Sequence, residues 1–178
     1  MKNFKHLVSL LILSAFVVMV ACSDDDNNGS DQSGIAGVWL SEGTNVAPLL
    51  NTIFAAAGGV DSIYATFATS DTSGNTGTYS VRQVNGNSSV VSYSGTYTET
   101  KSIVDNIYAI TINQSIPSVT ENGGIFEIYN ANPDSMKYEV VLLTGTSNVA
   151  PTPAGGFGST NAGAFGVLNV QRYIRLSE

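Results

Sequence analysis

From Gly34 onward, the chain consists of short runs in which apolar and polar residues alternate, separated by clusters of Gly, Asn, Asp, Ser and Pro. This alternation is typical of half-buried β-strands joined by turns. The pattern predicts eight strands, at residues 35–41, 61–69, 77–83, 89–99, 107–114, 124–129, 136–144 and 167–175. Eight sequential antiparallel strands can form an up-and-down barrel or a two-sheet sandwich. Because closure removes the exposed strand edges, we expect an all-β, eight-stranded antiparallel barrel.

One short helix is predicted after the first strand, at residues 47–57, where the apolar residues share one face. Pro48 suits its first turn and Gly58 suits its end. The alternation directs the charged residues Arg82, Glu127, Lys137 and Glu139 toward water. It directs a mainly apolar set toward the interior: Ile63, Phe67, Tyr79, Val81, Val91, Tyr93, Tyr97, Tyr108, Ile110, Ile112, Phe126, Ile128, Tyr138, Val140, Leu142, Leu168, Val170 and Ile174.

The N-terminus has the features of an export signal. Lys2 and Lys5 give it a positive charge, residues 7–20 are almost entirely apolar, and the small Ala21 precedes Cys22. The apolar stretch is shorter than the roughly 20 residues of a transmembrane helix. We therefore expect residues 1–21 to be a signal peptide that is removed.

The segment Met19-Val20-Ala21-Cys22 resembles the lipobox of bacterial lipoproteins. This resemblance implies acylation of Cys22, and two or more acyl chains anchor a protein stably to a membrane. Residues 22–34 form an acidic tether that is similar to the export signal of Bacteroidota surface lipoproteins, which implies an outer-membrane protein facing the cell exterior. The alternative, a calcium loop beginning at Asp24, lacks the bidentate Glu at its twelfth position, where Ile35 stands. We expect no metal site.

Charge and residue usage exclude several functions. The net charge is −7, and the loss of Lys2 and Lys5 with the signal peptide changes it to −9, so no nucleic-acid partner is expected. The only histidine, His6, leaves with that peptide, and the only cysteine is the lipidation site. This excludes His-dependent nucleophilic sites and zinc sites built on His or Cys. Chemistry by paired carboxylates or by a Lys base would still be possible, but most acids fall at turns or outward positions. We expect no enzyme and no cofactor.

Gly37-Val38-Trp39 on the first strand, and Arg172 and Arg175 near the end, are similar to lipocalin-like (calycin) domains. The resemblance implies a lipocalin-like barrel over residues 35–178, in which Trp39 packs beneath an arginine of the last strand and closes one end. Arg172 is the predicted partner because it interrupts the apolar alternation of that strand. Stacking of a guanidinium on an indole is a cation–π interaction.

Aromatic residues supply the candidate ligand site. An eight-stranded barrel is wide enough either to be filled by side chains or to hold one small ligand, and both alternatives stay open. The two longest connections, 42–60 and 145–166, fall at the same end in a meander, so we expect them to cover a common mouth opposite Trp39. The candidate ligand-binding residues are Tyr79, Tyr93, Tyr97, Tyr108 and Tyr138 in the interior, with Phe157 and Phe165 on a lid.

Two functions are compatible with these features. The first is a non-catalytic surface lipoprotein that binds a small amphipathic or glycan-like ligand in the barrel mouth. The second is an accessory module of an outer-membrane protein complex, with a filled barrel and no small ligand. The presence or absence of an internal cavity distinguishes them.

Overall fold

The computed structural model describes residues 34–176, so the predicted signal peptide, Cys22 and the tether up to residue 33 lie outside the described residues. The described chain forms a closed barrel in which successive strands pair antiparallel and the first strand pairs with the last. The predicted eight-stranded up-and-down barrel is therefore confirmed, and it is consistent with a lipocalin-like fold. The strands are β1 Gly37–Glu42, β2 Val60–Thr69, β3 Thr76–Asn85, β4 Val90–Lys101, β5 Ile107–Ile116, β6 Thr120–Tyr129, β7 Ser135–Leu142 and β8 Gln171–Leu176.

The helix predicted after β1 is also present. Helix α1 spans Pro48–Ile53, between single 3₁₀ turns at Gly43–Asn45 and Ala55–Ala57. Pro48 occupies the start of α1, where its missing N–H has no intrahelical partner to lose. Gly58 ends the helical segment with a φ of 82°, a left-handed conformation that glycine adopts without steric cost. Within residues 34–176, no helix is long and apolar enough to cross a membrane.

The meander separates the connections into two ends. Connections 70–75, 102–106 and 130–134 lie at the end that Trp39 closes, here called the closed end. Connections 43–59, 86–89, 117–119 and 143–170 lie at the opposite end, here called the mouth. Both long connections are at the mouth, as the strand count predicted.

Trp39 is completely buried at the closed end, where its Nε1 donates a hydrogen bond of 2.7 Å to the Ile35 carbonyl. The guanidinium over its ring, 4.2 Å from the ring centroid, belongs to Arg175. The prediction of Arg172 is wrong, since that residue is exposed. The register explains the difference: Trp39 and Arg175 are direct partners across β1 and β8, so their side chains share the interior face.

Strand β8 was predicted to begin too early and with the opposite alternation. Residues Gly166–Asn169 form a 3₁₀ helix, so Leu168 precedes the strand and is exposed. The buried residues of β8 are Gln171 and Tyr173, and Ile174 therefore points outward. The assignment of Leu168, Val170 and Ile174 to the interior is corrected accordingly.

The β7–β8 connection, residues 143–170, packs against the outer face of the barrel. It buries Glu139 completely, although Glu139 was predicted to face water. The Glu139 carboxylate accepts hydrogen bonds from the Gly158 amide at 2.6 Å, the Thr160 amide at 3.2 Å and the Thr160 hydroxyl at 2.5 Å. Its neighbour across the strands, Ile125, is also fully buried. The outward orientation was right, but the connection excludes water from it.

Aromatic residues fill the lower half of the barrel. The rings of Phe67 and Tyr97 meet edge to face with centroids 5.3 Å apart. Tyr108 stacks on Phe126 at 4.9 Å. With Trp39, these rings form a packed floor above the closed end. The interior is therefore closed from below and accessible only through the mouth.

Candidate functional site

A cavity of about 240 Å³ occupies the upper half of the barrel. Its wall combines three kinds of side chain that are arranged by height. Amides surround the opening, tyrosines lie below them, and apolar groups complete the wall. The amides are Gln83, Gln114, Asn122, Asn169 and Gln171; the tyrosines are Tyr79, Tyr93, Tyr138 and Tyr173; the apolar residues are Ala47, Leu50, Phe54, Val81 and Val140.

The amides form a collar because they occupy the strand ends nearest the mouth. Gln171, the first residue of β8, accepts a hydrogen bond of 2.8 Å from the Ala47 amide and donates one to the Ser41 hydroxyl. It thereby fixes the start of α1 over the opening. Gln83 donates to Asn85 at 2.8 Å, and Gln114 donates to the Ser118 carbonyl at 3.0 Å. The collar is thus held in place by hydrogen bonds within the protein itself.

The four tyrosines supply the polar groups below the collar. None of their hydroxyls makes a hydrogen bond to another residue in the part of the chain that the structure describes, and none is sealed from the cavity. Tyr138 and Tyr173 contact each other edge to face, with centroids 5.8 Å apart. Unpaired hydroxyls on the wall of a cavity are available to a ligand, because leaving them unsatisfied is unfavourable.

Burial raises the pKa of all four hydroxyls, which are protonated at neutral pH even at the ordinary tyrosine value. It raises the pKa of Tyr79 to about 12 and the pKa of Tyr93 and Tyr173 above the ordinary value. Burial also raises the pKa of Tyr138 well above that value, with further contributions from the nearby Tyr173 and Tyr79. All four therefore remain neutral near pH 7 and present O–H donors that can also accept.

No charged side chain lines the cavity among residues 34–176. The buried carboxyl groups lie elsewhere. Glu99 is inside the closed end, where it accepts a 3.3 Å hydrogen bond from the Ile35 amide, and Glu139 is on the outer face. Within the same residues, no group of His, Cys, Asp and Glu could hold a metal ion. The cavity therefore offers hydrogen bonds and apolar contact, without a charge that could pair with an ion.

Glu99 is itself unusual because it is almost fully buried. Burial raises its pKa to about 7; the hydrogen bond from Ile35 opposes this increase, and the negative charge of Asp71 adds to it. Since the folded-state pKa exceeds the ordinary glutamate value of 4.5, the folded protein binds this proton more tightly than the unfolded chain. The resulting stabilisation is complete below pH of about 4.5 and is lost as the pH rises through 7.

The structure brings together three of the seven predicted ligand-binding residues, namely Tyr79, Tyr93 and Tyr138. Tyr97 and Tyr108 belong to the packed floor below the cavity. Alternation places a residue on the interior face but does not give its height in the barrel. For this reason Tyr97 and Tyr108 were predicted to bind the ligand together with the tyrosines of the upper half.

The predicted lid residues do not cover the mouth. The ring of Phe157 lies 5.5 Å from the Lys137 ammonium on the outer face of β7, and Phe165 precedes the 3₁₀ helix without lining the cavity. The first long connection does cover the opening, through Leu50 and Phe54, but of the second only its end near Asn169 reaches it. The expectation of a shared lid over the mouth is corrected accordingly.

Tyr173 and the amide collar were missed by the sequence interpretation. The amides are polar residues at strand ends, where the alternation pattern weakens, and no hydrophobic signal marks them. Tyr173 was missed because the alternation of β8 was assigned to the wrong face. Correct pairing of Arg175 with Trp39 would have placed Tyr173 and Gln171 inside by alternation.

No protein-family model, no curated protein and no solved structure matches the chain at a significant level. The function must therefore be argued from the cavity and from the residues around it.

Proposed function

We propose that this protein is an outer-membrane surface lipoprotein, anchored through Cys22, that binds a small uncharged ligand in the mouth of its barrel without transforming it. The observation that carries the ligand-binding part is the cavity with four unpaired tyrosine hydroxyls and an amide collar. Small-molecule sites combine apolar walls with a few positioned polar groups in this way. A glycan fragment or another hydroxylated amphiphile satisfies both kinds of wall.

The anchoring part of the proposal is supported by the lipobox-like segment before Cys22 and the acidic residues after it. The geometry of the barrel is compatible with it. Gly34 lies at the closed end, beside Glu99 and with its carbonyl 3.5 Å from an Arg175 nitrogen. The first described residue thus lies at the end of the barrel opposite the mouth.

The non-catalytic part of the proposal is supported by the position of the acids. Glycoside hydrolysis generally uses two carboxyl groups about 5–10 Å apart across a cleft. Glu99 and Glu139, the two buried carboxyl groups among residues 34–176, lie at the closed end and on the outer face, and neither lines the cavity. The hydroxyls and amides that do line it hold a ligand but are poor general acids or bases at neutral pH.

Native mass spectrometry tests ligand binding directly. The full lipoprotein is extracted from its own membrane, and bound small molecules are detected by their added mass. We expect an adduct on the unmodified protein and on Val141→Phe, which alters the outward neighbour, but not on Val140→Phe, which fills the cavity. An adduct that survives Val140→Phe, or no adduct on any form, would contradict the proposal.

The second candidate function is an accessory module of an outer-membrane complex. It is favoured by exposed aliphatic residues at the mouth, such as Val119 and Val167, which are 83% and 74% exposed. This function predicts an adduct-free protein whose mouth-end connections cross-link to one outer-membrane protein in intact cells. Val119→Ser should abolish that cross-link, whereas Ile103→Ser at the closed end should leave it unchanged.

A further inference from the structure

The mouth of the barrel differs chemically from the rest of its surface. Its four connections, residues 43–59, 86–89, 117–119 and 143–170, contain no Asp, Glu, Lys or Arg. Each of the three closed-end connections contains an aspartate, Asp71, Asp105 or Asp134. The charges nearest the mouth stand at strand ends and have both signs: Glu42 on β1, Glu121 on β6 and Arg172 on β8.

Exposed aliphatic side chains are concentrated at the same end. Of the large hydrophobic residues that are exposed in the described chain, only Ile103 lies in a closed-end connection. Six at the mouth are here called the aliphatic rim: Ile53, Val90, Ile116, Val119, Val167 and Leu168. They are carried by α1, the 117–119 turn, the strand ends beside the tight turns and the 3₁₀ helix that contacts α1. Exposed apolar groups of this size can form a binding surface.

The cavity inside the rim is small, and its apolar wall carries tyrosine hydroxyls and amides that can form hydrogen bonds. Its volume of about 240 Å³ corresponds to roughly eight water molecules, at about 30 Å³ each. It therefore accommodates the head group of an amphiphile but not a head group together with a long alkyl chain. The packed floor of Phe67, Tyr97 and Phe126 blocks any extension downward, so the remainder of a longer ligand must leave through the mouth.

The hydrogen-bonding groups lie in the cavity and not on the rim, and this favours one orientation of the ligand. An alkyl chain in the cavity would leave the hydroxyls of Tyr79, Tyr93, Tyr138 and Tyr173 without acceptors in a dry environment, which is unfavourable. A hydroxylated head group satisfies them. Conversely, an alkyl chain on the aliphatic rim removes apolar surface from water on both partners.

Resting on the proposed ligand-binding function, we infer that the ligand is an uncharged amphiphile that binds head-first. Its hydroxylated head group lies among the tyrosines and the amide collar, and its alkyl chain lies on the aliphatic rim.

Alkyl β-glucosides are suitable probes, titrated below their micelle concentrations and followed by calorimetry. Affinity should increase from glucose to hexyl to octyl β-glucoside, by about fourfold to tenfold for the last step, since two methylenes become partly buried. Octyl sulfate and octylammonium, with the same chain and a charged head, should bind at least tenfold more weakly than octyl β-glucoside. Octanol, which has the chain but a minimal head, should also be weaker.

Two sets of variants locate the head and the chain. Tyr138→Phe and Tyr173→Phe should weaken every glucoside by a similar factor, because each removes a hydroxyl from the head-group site. Val119→Ser with Leu168→Ser should remove the dependence on chain length and leave the affinity for glucose unchanged. Ile103→Ser, which alters an exposed residue of the closed end, is the matched control and should change neither.

The outcomes separate this inference from the proposed function. If octanol binds as tightly as octyl β-glucoside and the tyrosine variants have no effect, the chain enters first and the inference is wrong, although the cavity still binds a ligand. If glucose binds but chain length has no effect, the role of the rim is wrong. If a charged octyl compound binds most tightly, the uncharged head is wrong. If no probe binds and native protein carries no adduct, both the inference and the proposed function fail.

Discussion

The contact between Arg175 and Trp39 should determine how firmly the closed end is shut, and replacing Arg175 with Ala tests this. The change removes the guanidinium that lies 4.2 Å from the indole centroid, the 3.1 Å ion pair with Asp134, and hydrogen bonds to the Ala36 and Gly34 carbonyls. A partly desolvated cation–π contact is worth about 1–2 kcal/mol, and a charge-assisted hydrogen bond about 1.5–3 kcal/mol. These contributions overlap and the ion pair is partly solvated, so we expect a loss of about 2–4 kcal/mol in the free energy of unfolding.

Arg172 provides a matched control, because it is an arginine on the same strand that points outward and is exposed. Arg172→Ala should change the free energy of unfolding by no more than about 0.5 kcal/mol. Urea unfolding measures both variants, and tryptophan emission reports on the site because Trp39 is the only tryptophan in the chain. The unmodified protein should emit at short wavelength, as a buried indole does, and only Arg175→Ala should shift the emission to longer wavelength. Equal effects of the two variants would refute the reasoning, as would a water-like spectrum of the unmodified protein.

Three further predictions follow from buried or modified single residues. Because the pKa of Glu99 is raised to about 7 in the folded protein, the free energy of unfolding should fall by roughly 2–4 kcal/mol between pH 4.5 and 8. The urea midpoints of Glu99→Gln should lack this fall. An identical pH profile of both forms would contradict the assignment. Glu139→Ala should destabilise the protein by about 2–4 kcal/mol and allow protease cleavage within residues 150–166, because the Gly158 and Thr160 donors lose their acceptor. The control is Glu121→Ala, which changes an exposed residue on the same outer face. Equal cleavage of the two variants would argue against the role of Glu139. Cys22→Ala should leave the protein uncleaved or soluble in membrane fractionation, and the anchoring proposal fails if its mass and membrane association do not change.

The strand pattern was predictable because the physics of a half-buried strand is local. Residues on β2 to β7 alternate between a packed interior and the surface, so Phe67, Tyr79, Ile112 and Phe126 could be assigned to the interior without knowledge of their partners. The number of strands then determined which connections share an end of the barrel. Closure was predictable for the same reason, because an open sheet of this length would expose its edges.

What failed depends on register and on long connections, which are not local. Strand β8 contains Arg172 and Arg175, one on each face, and only the pairing with Trp39 decides between them. Glu139 lies on the outer face as predicted, but its burial results from a connection that returns more than fifteen residues later to donate hydrogen bonds from Gly158 and Thr160. No periodicity of the sequence records such a contact.

The barrel places its packed aromatic floor and its cavity in different halves, and this division affects how variants should be interpreted. The lower half is a packed aromatic floor, closed by Trp39 and Arg175, and the outer face of β7 is tied to the β7–β8 connection through Glu139. The upper half leaves a cavity whose tyrosine hydroxyls have no protein partner among the described residues. Removing a hydroxyl there deletes no intramolecular hydrogen bond, so Tyr138→Phe should leave stability almost unchanged. A change in ligand affinity caused by that variant can therefore be attributed to the lost hydroxyl, whereas the same change caused by Arg175→Ala would first have to be corrected for unfolding.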